Sequence, residues 1–195
     1  VVPFLFAAED RCFARPNASA HNLWLSKSDD LVCIMSSCEK RPWRFDIISS
    51  LEENYKDEET VFVGEYREGQ TLPHIDTGNR HYSGYFKKLL HSKISVDAYG
   101  CGEARQTGRF WESLANGCLL MYQPIDPYIW PNTYVDGEDF VVYNNTEELI
   151  DKSKYYIKNT DEAQKIATNG YYKLKKYHTT LQRGKEFLSH LKQYL

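Results

Sequence analysis

The sequence predicts an α/β domain, a mostly parallel sheet covered by helices on both faces. Three observations predict it. Unbroken apolar runs such as Leu31-Val32-Cys33-Ile34-Met35 have strand length without alternation, as strands buried on both faces do. Between these runs lie stretches with helical apolar spacing, so strand and helix alternate along the chain. At residues 99–108 a glycine-rich loop leaves one such strand and opens a helix. A length of 195 residues suits a single domain, and 42% hydrophobic with 26% charged residues is a folded globular composition.

Taken in order, residues 1–26 hold a short apolar run, Arg11, Arg15, Pro16 and a polar segment, and read as a linker leading into a domain at 27–195. The first strand is 31–36. A helix follows over 42–55, with Pro42 suited to its first turn and Trp43, Ile47, Ile48 and Leu51 at helical spacing. Residues 60–64 form a second strand, followed by a polar loop over 65–80. Tyr82, Tyr85, Phe86, Leu89 and Leu90 mark a short helix, and 93–99 a third strand. The next helix is capped by Thr107 and closed at Gly117. Cys118–Tyr122 is the fourth strand. A loop with Pro124, Pro127 and Pro131 precedes a short fifth strand at 139–143. Three helices complete the chain. Asn145, with Glu148 three residues on, opens the first. The second carries Ala163, Ile166, Ala167, Gly170 and Leu174 on one stripe, and the third Leu181, Leu188, Leu191 and Leu195 on one face. With right-handed crossovers this is a three-layer, Rossmann-like sandwich with C-terminal helices.

Composition removes several functions. The net charge of −3 argues against a broad nucleic-acid surface, and no apolar run reaches the length of a membrane span. Five cysteines, an odd number with no Cys-x2-Cys pair, indicate buried or free thiols rather than a disulfide framework or a zinc site. That usage fits the cytoplasm, with the secretory pathway as the alternative. No metal-ligand set is visible, and none is expected.

In open parallel sheets ligands sit outside the carboxyl ends of the strands, here among the loops at 36–44, 64–80, 99–108 and 122–138. Gly100, Gly102 and Gly108 allow the backbone close to an anion, and the helix N-terminus they feed favours negative charge. Arg105 and Arg109 add forked donors, and Lys40, Arg41 and Arg44 lie across the crevice, so that two basic clusters clamp a diphosphate. The same pattern also describes turn glycines with solvent-facing arginines. Glu112, one turn into the helix, is placed to accept from ribose hydroxyls, or simply faces solvent. Asp97 reads as an exposed strand end, His74 and Asp76 as loop residues, and Trp24, Trp43 and Trp130 as exposed aromatics of an interface.

The run from Thr107 to Leu120, with Arg109-Phe110, Glu112, Leu114-Ala115 and Gly117, resembles the signature of group 1 glycosyltransferases, in particular the branch with spore-maturation-type proteins. Glu147-Glu148-Leu149-Ile150, Tyr155-Tyr156-Ile157, Ile166-Ala167, Gly170, His178-Thr179-Thr180 and Arg183 are similar to that family's closing pattern. The resemblance implies one half of a GT-B fold, the C-terminal domain that holds a nucleoside diphosphate sugar. It implies that Glu112 meets the donor ribose, and that the 100–108 loop, with Arg105, Thr107 and Arg109, faces the diphosphate. It implies further that Lys40, Arg41 and Arg44 lie at the basic clamp, and that the 64–80 loop holds the base. Retaining members often carry a Glu-x7-Glu pair. Here Ala104 stands eight before Glu112 and Glu103 is one residue off, so Glu103 is the catalytic candidate and the stereochemical outcome stays open. A chain of 195 residues is too short for two such domains, which implies that an acceptor-binding N-terminal domain is cut away or lies on another chain, or that this is a reduced protein. The acceptor, whether glycan, lipid or protein, is not specified. Exostosin- and fucosyltransferase-like domains share the layout, but Leu119-Leu120 replaces their Pro-Val. A non-catalytic module binding a nucleotide or a partner is the remaining alternative.

Overall fold

The computed structural model of the chain describes Ala8 and residues 12–35, 41–65, 83–100, 107–125 and 134–192. Five strands, β1 (Asp29–Met35), β2 (Val61–Glu65), β3 (Ser92–Val96), β4 (Leu119–Tyr122) and β5 (Val141–Val142), form one sheet in the order β2-β1-β3-β4-β5. Every adjacent pair is parallel, with Cys33 opposite both Val63 and Val96, and Val96 opposite Met121. From β1 the chain first moves outward to β2, then returns past β1 and builds β3, β4 and β5 on the other side. The order therefore reverses between β1 and β3, and a crevice opens there beyond the strand ends.

Alternation along the strands divides the core. Leu31, Cys33 and Met35 of β1, Ile94 and Val96 of β3, and Leu119 and Met121 of β4 face one layer. It is built from α2 (Pro42–Tyr55), which supplies Ile47, Ile48 and Leu51, and α5 (Thr146–Lys158), which supplies Leu149 and Ile150. Leu120 and Tyr122 face the other layer, with Phe110, Trp111 and Leu114 of α4 (Gly108–Ala115). On that same side Val32 and Ile34 meet Leu89 of α3 (Ser83–His91). Burying a side chain such as Leu114 or Leu119 contributes roughly 2 kcal/mol each. Ser95 of β3, on the α4 side, pairs its buried hydroxyl with that of Ser113 at 2.8 Å.

Two glycines let α4 sit close. Gly117 has φ +67°, the left-handed C-terminal turn anticipated from its position, and a Cβ there would lie 3.1 Å from Leu23 Cβ. Gly170, in α6 (Thr160–Tyr177), faces the Asp139 carbonyl oxygen so closely that any Cβ would collide with it and come within 2.8 Å of Leu114 Cδ2. Within residues 1–26, Ala20–Leu25 forms α1, whose Ala20 and Leu23 pack against Tyr171 of α6. Ala8 exchanges backbone hydrogen bonds with His178 and Thr180. Lys27, only 8% exposed, donates its ammonium to the carbonyls of Leu89 (2.9 Å) and Asn116 (3.0 Å) and to Cys118 Sγ. Cys33 and Cys118 are buried free thiols, and Cys12 is buried as well.

The structure departs from the sequence reading in three places. β3 ends at Val96 rather than Tyr99. Asp97 N still bonds Met121 O, but the next two carbonyls, of Ala98 and Tyr99, turn to the guanidinium of Arg44 instead of a neighbouring strand. Asp97 is therefore no exposed strand end; it is 1% exposed. Trp24, expected at the surface, is buried in the core beside β1, and Trp43 packs partly buried against that same core. Trp130 lies outside the described residues. The apolar stripe of α7 (Thr180–Leu191) exists, but no residue of that helix is buried, and Leu181 and Leu188 are largely exposed.

Candidate functional site

The carboxyl ends of β1, β3 and β4, with the first turns of α2 and α4, gather one polar cluster at the strand-order reversal. α4 begins as its sequence predicts. Thr107 is the N-cap, its hydroxyl oxygen accepting from Phe110 N at 3.3 Å. The same hydroxyl donates to Asp97 Oδ2, which ties the start of α4 to the end of β3. Gly100 and Thr107 are neighbours, since a Cβ on Gly100 would lie 3.7 Å from Thr107 Cγ2.

Around Asp97 stand two guanidinium groups. Arg44, from the first turn of α2, is 1% exposed; its Nε donates to Tyr99 O at 2.9 Å and its Nη2 to Ala98 O at 2.7 Å, with Asp97 Oδ1 3.9 Å away. Arg109, from the first turn of α4, is half-buried. Burial opposes its charge, but Asp97, Tyr85 and Glu112 outweigh that and raise its pKa. Arg44 moves the other way. Burial lowers it, Asp97 opposes the change, and the positive charges of Arg109 and Arg41 add to it. The three arginines thus share one field, with Arg41 half-buried at the N-cap position of α2.

Glu112 is half-buried and reaches back along α4: a Cβ on Gly108 would lie 4.0 Å from its Oε1. Tyr85, from α3, has its hydroxyl pushed well above the usual range by burial, by the Glu112 charge and by a hydrogen bond to that carboxylate. Tyr99 is pushed up to about 12 by burial. Tyr143 closes the floor, donating to Asp97 O at 2.8 Å, and Gln123 Oε1 accepts from Tyr99 N at 2.9 Å.

Of the residues singled out from sequence, Gly100, Thr107, Gly108, Arg109, Glu112, Arg41 and Arg44 lie on this crevice. Arg44 is buried beneath it on backbone carbonyls. Lys40, Gly102, Glu103 and Arg105, together with His74 and Asp76, lie outside the described residues. Sequence reasoning missed Tyr85, Tyr143 and Tyr122, whose hydroxyl meets Thr107 at the head of α4. The available signal was the count of 15 tyrosines, two of them ending apolar runs at 122 and 143. Among the described residues no group of three or more His, Cys, Asp or Glu is placed to hold a metal ion, and no helix is long and apolar enough to cross a membrane.

A parallel α/β sheet with a capped helix head, arginines and a carboxylate at its strand-order reversal defines an open, doubly wound architecture of the Rossmann-like type. A family model described as glycosyl transferase-like matches residues 34–189, and the chain belongs to that family. The fold agrees. The C-terminal domain of a group 1 glycosyl transferase family protein, LpcC from Francisella tularensis, superposes with a TM-score of 0.55 at 16% identity, over 88% of this chain and 98% of that one. HepE from Anabaena, solved in complex with UDP, gives 0.56 at 13% identity, over 90% of this chain and 56% of the other. A glycosyltransferase from Rickettsia africae gives 0.58 at 16% identity, over 99% and 56%. The chain thus spans a whole C-terminal domain but only about half of the longer structures it matches. No curated protein sequence matches it.

Proposed function

We propose that this chain is the donor-binding domain of a glycosyltransferase that moves a sugar from a nucleoside diphosphate sugar to an acceptor hydroxyl. The observation that carries the reading is the head of α4. There a capped N-terminus, Arg109 and Glu112 meet at the strand reversal, in a chain of the glycosyl transferase-like family. Its relative HepE, solved with UDP, supports a nucleoside diphosphate as the ligand.

In this reading Glu112, a half-buried carboxylate one turn into α4, accepts from the donor ribose. The amide end of α4, with Gly100, Gly102, Thr107 and Gly108, faces the diphosphate, and Arg109, Arg105, Arg41 and Lys40 supply positive charge. Arg44 shapes the floor on which they stand. The anomeric carbon exchanges its bond to the diphosphate oxygen for one to the acceptor oxygen. The departing diphosphate takes the electron pair, and fixed cations and amides offset its developing charge. Glu103 is assigned as the catalytic carboxylate. An acceptor-binding N-terminal domain, in the same protein or on another chain, completes the cleft, and residues 1–26 are the lead from it.

Calorimetry with UDP- and GDP-sugars tests the reading. One of them binds, and Glu112→Ala weakens it by roughly tenfold, the loss of a charge-assisted contact. Failure of either family to bind at millimolar concentration overturns it.

A further inference from the structure

We propose that Asp97 is a positioning residue of the donor site. Its carboxylate anchors Thr107 at the head of α4 and serves as counter-charge to Arg44 and Arg109, so that Arg109 and Glu112 are held at the crevice. The inference rests on the donor reading above and goes beyond it, since Asp97 reaches the ligand only through other groups.

Four observations carry it. Asp97 follows β3, the strand at which the order reverses, so it lies where two crevice-lining helices begin. It is 1% exposed, and a buried carboxylate persists only where charge partners are built around it. Its Oδ2 holds the Thr107 hydroxyl, which in turn takes the Phe110 N–H, so the carboxylate reaches the first turn of α4 through one side chain. Its Oδ1 has no hydrogen bond and lies 3.9 Å from the Arg44 guanidinium, while its charge also acts on Arg109. The backbone around Asp97 is fixed as well, through Met121 O and the Tyr143 hydroxyl. Taken alone, a negative charge beneath a diphosphate site works against an anion. Its burial with two guanidinium groups indicates that placement of those groups outweighs the repulsion.

That opposition makes the sign of one measurement decisive. Titrate the full chain with UDP, GDP and inorganic pyrophosphate, comparing wild type, Asp97→Asn, Thr107→Val and the double variant, and record melting temperatures alongside. Asp97→Asn keeps an oxygen for Thr107 and removes the charge. If Asp97 were only background charge, the substitution would tighten pyrophosphate binding. As a positioning residue it weakens UDP or GDP binding by about tenfold in protein that remains folded, and the double variant binds no more weakly than the worse single one. Unchanged or tighter binding by Asp97→Asn, with wild type binding normally, overturns the proposal and leaves the donor reading standing. Wild type that binds neither UDP nor GDP overturns both. Should Asp97→Asn fail to fold, Thr107→Val and Thr107→Ser decide together: an affinity of Thr107→Val equal to wild type sinks the proposal, as does an equal loss in both, and a loss of about tenfold in Thr107→Val that Thr107→Ser, which keeps the hydroxyl for Asp97, does not share upholds it.

Discussion

Arg44 and Arg109 occupy matching places, each in the first turn of a helix that follows a strand beside the reversal, yet the fold uses them differently. Arg44 is sealed in, with two carbonyl oxygens of the 98–99 turn as acceptors. Arg109 is half-buried at the crevice between Asp97, Glu112 and Tyr85. The helices differ too. α2 begins with Pro42 and no side-chain cap, whereas Thr107 caps α4. Sequence position alone does not separate a guanidinium that holds the backbone from one that faces a ligand; what separates them is whether backbone carbonyls lie within reach.

Arg44→Ala gives the largest expected effect. It leaves two carbonyls without their donor and Asp97 without one of its two counter-charges in a dry site, and destabilises the fold by about 3 kcal/mol in urea unfolding. An Arg44→Ala protein of unchanged stability that fails to bind nucleotide would erase the distinction. Arg109→Ala should do the reverse, weakening UDP or GDP about tenfold (~1.4 kcal/mol) by calorimetry while the unfolding midpoint hardly moves. Thr107→Ala removes a cap and costs about 1 kcal/mol of stability. The smallest effect lies at a helix start away from the crevice. Glu148 is lowered to about 2, first by the Lys152 hydrogen bond and then by Asn144. A depressed carboxylate stabilises the fold above its ordinary pKa of 4.5 and loses that contribution as pH falls through about 2. Glu148→Gln should flatten this acid dependence by less than about 1 kcal/mol, since the pair is partly solvated.

Much of the fold was legible because burial on both faces writes itself as unbroken apolar runs, as at Leu31–Met35 and Leu119–Tyr122. The caps were legible too. Thr107 and Asn145 sit where a short polar side chain meets the first free amides, and Gly117 where a left-handed turn excludes a Cβ. Asp97 was misplaced because a carboxylate after an apolar strand looks solvent-facing until Arg44, 53 positions earlier, is seen to fold over it. The link between Tyr85 and Glu112 joins α3 to α4 on one face of the sheet, a non-local contact that no spacing rule encodes. Arg109 and Glu112 were found from a pattern in which Arg, Glu and Gly fall at fixed steps along one short helix. Arg44 was found by the same clustering of basic residues, but its role was not, because the carbonyls it serves are created by the early end of β3.

Lys27 sets a practical rule for anyone shortening this polypeptide. Its ammonium closes three ends at once: those of α3 and α4, and the start of β4 through the Cys118 sulfur. Just upstream, α1 lies over Gly117 and Tyr171. A version trimmed to begin inside β1 would expose those carbonyls and that glycine to water together, so the workable left-hand limit for expression lies before Ser19, ahead of the helix rather than after it.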